Sequence, residues 1–187
     1  MRPVLVLAAI LSLAGCALSP QVVDLTPTLV LPPGNVGAGR IVNVQVIDER
    51  DDTAIGSRGG VYAGSSTIKA GNDVAAVIRD ALEKGLVAQG YVIGSTNADA
   101  VLHVGVQKLS YVVPKGAVAT SADITVSIGV TAERGERKLA TGYRSTVTHR
   151  FPVAPTAEQN EIWINEVLSA TLARFFADQQ MREFLTR

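Results

Sequence analysis

The alternation of apolar and polar positions divides the chain into segments of distinct period. Residues 40–48 alternate, with Val42, Val44 and Val46 set against Asn43 and Gln45, the period of two that marks a half-buried strand. The same period returns in residues 100–112, through Leu102, Val104 and Val106, and in residues 121–132, through Ile124, Val126, Ile128 and Val130. In residues 139–151, Arg144, Thr146 and Thr148 oppose Tyr143, Ser145 and Val147. Two segments repeat every three to four residues instead, which predicts amphipathic helices. Residues 73–89 place Val74, Val77, Ile78, Ala81, Leu82 and Leu86 on one face. Residues 156–185 carry a stripe of Ile164, Val167, Leu168, Thr171, Leu172 and Phe175, extended by Phe176, Met181, Phe184 and Leu185.

The punctuation agrees with these periods. Asn72 is placed to cap the first helix, and Gly90 to end it in the left-handed conformation. Thr156 and Gln159 have capping-box spacing. Residues 91–93 begin a short strand, and residues 133–136 read as a hairpin turn, with a second turn at 114–116. Residues 49–72 form a long polar, Gly-rich loop. The predicted order is β-α-β-β-β-β-α: a single α+β domain, a mainly antiparallel sheet with two long helices packed on one face.

The N-terminus has a different character. Arg2 precedes an almost unbroken apolar run over residues 4–13, which ends in Leu13-Ala14-Gly15-Cys16. A basic start, an apolar run and small residues at a cleavage point make an export signal. The run is too short to span a bilayer, which takes about 20 apolar residues. The tetrapeptide fits the lipobox pattern, in which the signal is cut before a Cys that becomes acylated. The expected organisation is a signal peptide over residues 1–15, a lipid-anchored tether over 16–39 and a periplasmic domain over 40–187. Within the tether, residues 21–31 are β-prone and either lie along a sheet edge or act as a stem. Ala17 is not the Asp that retains lipoproteins at the inner membrane of enterobacteria, so the outer membrane, facing the periplasm, is expected.

Composition narrows the chemistry. The chain has 17 Lys and Arg, 17 Asp and Glu, and a single Cys. With Cys16 acylated, no thiol remains for disulfides, metal clusters or catalysis. The balanced charge carries no nucleic-acid footprint. His103 and His149 both fall on strands without a G-x-S-x-G elbow, and two His are too few for a zinc site without carboxylates. Asp48, Glu49, Asp51 and Asp52 cluster without EF-hand spacing. Residues 56–60 are Gly-rich, but no P-loop Lys follows them. No enzyme activity, metal or cofactor is expected. The candidate binding residues are Asp48, Arg50, Arg58 and Tyr62. An Arg beside a carboxylate on a strand-end loop either pins that loop or presents its planar fork to a carboxylate or a partner backbone. Ile162, Trp163 and Ile164 make the second helix apolar on more than one face, one of which is a candidate contact with another subunit or protein.

Three stretches carry a resemblance to a known family: the lipobox at Cys16, Leu25-Thr26-Pro27-Thr28-Leu29-Val30-Leu31-Pro32, and the helix that runs from Ala81 into Gly90-Tyr91. With Val46-Ile47-Asp48-Glu49-Arg50, which is similar to an Asp-x-Arg segment, the chain resembles the YajG-type lipoproteins of Gram-negative bacteria over nearly its whole length. The resemblance implies a fold and an envelope location, and no particular reaction. The expected function is therefore an accessory or scaffold lipoprotein that binds an envelope protein partner by its sheet edge or by the 49–72 loop. The alternative is a module binding a cell-wall fragment or lipid through that loop and Arg58.

Overall fold

A computed structural model describes residues 19–59, 63–114 and 121–187. Its strands are β1 (Gln21–Val23), β2 (Ile41–Asp48), β3 (Ala54–Ser57), β4 (Thr67–Ala70), β5 (Val92–Ile93), β6 (Ala100–Val112), β7 (Ser121–Arg134) and β8 (Arg137–Arg150). The helices are α1 (Val74–Ala88), α2 (Ala157–Ala177) and α3 (Gln179–Thr186). The chain is α+β, and the eight strands form one sheet with β6 near its middle.

The sheet is mixed, not mainly antiparallel. β6, β7 and β8 form the expected antiparallel ladder, but β2 runs parallel to β5 and β6, β3 parallel to β6, and β1 parallel to β4. The reason lies in α1. A helix between two strands returns the chain to the end where it began, so β2 and β6 must run the same way. Alternation within a strand reports which face is buried and is silent about direction.

The inward positions of β7 show that alternation clearly. Ala122, Ile124, Val126, Ile128, Val130 and Ala132 are all buried. They join one core with Leu102, Val104 and Val106 of β6, Ile78, Leu82 and Leu86 of α1, and Ile164, Leu168 and Leu172 of α2. α1 contacts β2 and β5, and α2 contacts β7, β8 and β1.

Three local expectations change. The 49–72 loop contains the antiparallel pair β3 and β4, each held by one buried isoleucine, Ile55 and Ile68. Four residues are too few for a period to declare itself. α1 is capped by Asp73, whose side chain accepts from the Ala76 N–H at 2.9 Å. Asn72 instead clasps Leu25, accepting from its N–H at 3.0 Å and donating to its carbonyl at 2.9 Å. The second helix ends at Ala177, because extended Asp178 caps α3 by accepting from the Met181 N–H. Thr156 does cap α2, accepting from the Gln159 N–H at 3.1 Å, and Gly90 does take a positive φ of 83°.

Within the segment expected as the tether, β1 lies along the sheet edge, the first of the two alternatives for residues 21–31. Residues 16–18 lie outside the described residues, but from β1 onward the chain is part of the fold. Leu25 is buried. The N–H groups of Asp24, Thr26 and Thr28 donate to side chains of Glu161, Asn165 and Ser169 on α2, at 2.8, 2.6 and 2.9 Å. Two residues of extended chain and four residues of helix both advance about 6 to 7 Å. Alternate N–H groups therefore meet the same helix face three times in succession.

Candidate functional site

The side chains of β2, β6, β7 and β8 that point away from the core form a polar open face. Across its middle, Gly105, Gly129 and Gly142 are register partners on three adjacent strands. Missing side chains at neighbouring positions leave a trough of about 490 Å³, lined among others by Gln45, Glu49, His103, Gln107, Thr131 and Thr141. The Glu49 carboxylate lies over Gly105 and the Gln107 amide over Gly129, where a Cβ would collide with each, while Gly142 is open apart from the Ile128 carbonyl at 3.8 Å. These glycines occupy the polar phase of strongly alternating strands, a pattern in which interior glycine marks close approach. That signal was present in the sequence and points to the trough.

At one end of this face His103 Nε2 lies 3.9 Å from Glu133, whose other oxygen takes the Lys138 ammonium at 2.8 Å. The Lys138 hydrogen bond holds the Glu133 carboxyl below its ordinary range. His149 stacks on Trp163 at a ring separation of 4.5 Å, with Phe151 on the same indole. Trp163 is thereby packed against β8, and it is Ile162 that α2 leaves exposed.

The candidate binding residues separate into two places. Arg50 grips Asp48 with two bonds of 2.7 Å, from Nε and Nη2. The arginine side chain is only 6% exposed. Its hydrogen bonds pull the Asp48 carboxyl below its ordinary range. A fork already engaged by its own carboxylate pins the turn after β2. Arg58 lies elsewhere: its Nη2 donates to the Ser19 carbonyl at 2.6 Å. Buried Tyr111 is held neutral well above its usual range, to about 12, by desolvation that the nearby Arg58 charge only partly offsets. Tyr62 and Cys16 lie outside the described residues.

The arrangement presents polar and charged side chains on an exposed surface. Among the described residues no group of three or more His, Cys, Asp and Glu is placed to hold a metal ion. No helix among them is long and apolar enough to cross a membrane.

Comparison with known proteins adds the family. A family model described as uncharacterized lipoprotein, Lipoprotein_16, matches residues 27–186. The chain belongs to this lipoprotein family. The uncharacterized lipoprotein YajG from each of two strains of Escherichia coli is 30% identical over 186 residues, covering 96% of this chain and 93% of the relative. The crystal structure of protein XCC0632 from Xanthomonas campestris superposes with a TM-score of 0.51 at 12% identity, over 88% of this chain and 92% of that one, and so shares the fold. As a YajG-type lipoprotein of Gram-negative kind, the protein belongs to the cell envelope, attached to a membrane.

Proposed function

We propose that this lipoprotein is a non-enzymatic accessory component of the envelope, held by lipid on Cys16 at the periplasmic face of the outer membrane, and that it binds an extended acidic segment of a protein partner along β8. The observation that carries the reading is the β8 edge. Among the described residues this strand of 14 residues pairs with β7 alone. An unpaired strand edge is a ready template for another chain. Its charge selects the partner: β8 carries Arg137, Lys138, Arg144 and Arg150 and no acidic residue. The His103–Glu133–Lys138 group is solvated at the surface beside an open trough, which favours binding over catalysis.

A photoreactive residue in place of Arg144, irradiated in cells, tests this directly. One dominant protein adduct is expected. The trough at Gly105, Gly129 and Gly142 favours a second reading, a module for a cell-wall fragment or lipid. Adducts with glycan or lipid alone would transfer the assignment to it, and no adduct at all would contradict the β8 edge as a contact.

A further inference from the structure

The geometry points to one end of the sheet as a bilayer-facing surface, so that the protein sits directly on its membrane with no stalk. The inference rests on the lipid-anchor reading of Cys16 and goes beyond it by orienting the domain.

Cys16 is three residue steps from Ser19, a reach of at most about 11 Å. Ser19 is already fixed, because its carbonyl accepts from Arg58. Two residues on, Gln21 is buried and held at both ends of its amide: Nε2 donates to the Pro155 carbonyl at 3.3 Å, and Oε1 accepts from Asn160 at 2.7 Å. The headgroup layer on each side of the hydrocarbon core is about 5 to 7 Å thick. An acylated Cys16 therefore keeps Ser19, and with it Arg58 and the residues around Pro155, within or just above the headgroup layer.

The end of β6, the start of β7, the end of β3, the start of β4 and the β8–α2 connection all converge there. Gly59 packs against Val113. Val153 is 77% exposed and Val112 52% exposed, and both are at this end, as are Arg58 and Arg150. Exposed apolar tips beside cationic side chains suit the interface between acyl chains and phospholipid headgroups. Asp123, Glu158 and Glu161 also lie at this end; Asp123 accepts from Thr148 at 2.6 Å and Glu161 from the Asp24 N–H, while Glu158 is exposed in the first turn of α2. The opposite end exposes Val87 and Val92 as well, but it is richer in charge. The β7–β8 turn and its surroundings carry Glu133, Arg134, Glu136, Arg137 and Lys138. At about 3.3 Å per residue, strands of this length place that turn roughly 45 Å from the membrane.

The test uses the lipidated protein reconstituted in phosphatidylethanolamine–phosphatidylglycerol vesicles. Because the Cys16 sulfur is consumed by the anchor, an environment-sensitive fluorophore can be attached at V153C, V112C or, as the distal control, E136C. Nitroxide-labelled lipids should quench the first two several-fold more strongly than the third. Equal, weak quenching at all three positions in protein that floats with the vesicles would overturn the orientation while leaving the anchor intact. Protein that fails to float would instead refute the anchor, and the orientation with it. Unchanged thermal melts of the three variants confirm that the label sites leave the fold intact.

Discussion

At the scale of single residues, the chain places a few polar and small side chains where no other type fits. The Asp48–Arg50 pair is the clearest. Replacing Asp48 by Asn leaves a guanidinium that is almost wholly buried without its counter-charge, and should lower unfolding stability by about 2 kcal/mol at neutral pH, read from urea denaturation. The pH dependence has a definite sign. The Asp48 carboxyl is held below its ordinary value in the fold, so its stabilisation is present above the unfolded-state value and is lost as pH falls through the folded one. The gap between wild type and D48N should therefore close in acid, and a gap that stayed constant into acid would contradict the ion pair as its source. Gly56 is a second such position. A Cβ there would meet the backbone carbonyl of Tyr111, which cannot swing aside as a side chain can. Gly56→Ala should cost about 2 to 3 kcal/mol and loosen β3 from β6. A melting temperature equal to wild type would show that the strands part without penalty.

Elements are held by reciprocal fits between segments far apart in sequence, and here sequence reading met its limits. The long strands β6, β7 and β8, and both helical stripes, were legible because each repeats its period several times and each apolar face is buried. The Thr156 cap and the Gly90 terminus were legible because their signals are local. Strand direction was not, since the parallel pairing of β2 with β6 follows from the path of α1 and not from either strand's pattern. The built-in N-terminal strap was also hidden. Its partners Glu161, Asn165 and Ser169 are ordinary polar residues on the solvated side of a helix, and only the matched advance of strand and helix gives them a role. Asn165 both accepts from the Thr26 N–H and donates to the Asp24 carbonyl at 2.9 Å, substituting for a strand edge. Asn165→Ala should remove about 1 to 2 kcal/mol and speed amide exchange at Thr26, while leaving exchange in β7 unchanged under native conditions. Slow exchange at Thr26 in that variant would mean that the strap is held by Leu25 and Asn72 alone.

For the whole molecule, the two sheet faces differ in character. One sheet face is sealed by the core shared with the helices, and the other is open and polar with a glycine-floored trough. The candidate residues reflect this division. Asp48 with Arg50, and Arg58, looked like one binding group because they fall in one loop. Folding sends Asp48 and Arg50 to the turn after β2 and Arg58 to the N-terminus. Arg58 thus ties the β3 end to Ser19, and the basic β8 edge is the surface proposed for a partner. Everything at this scale depends on Cys16 being the mature N-terminus. Mass spectrometry of the N-terminal peptide, taken from separated inner and outer membranes, tests it most directly. The account predicts a peptide that begins at Cys16, carries acyl chains and is concentrated in the outer membrane. A peptide that retains residues before Cys16, or one with an unmodified Cys16, would contradict it.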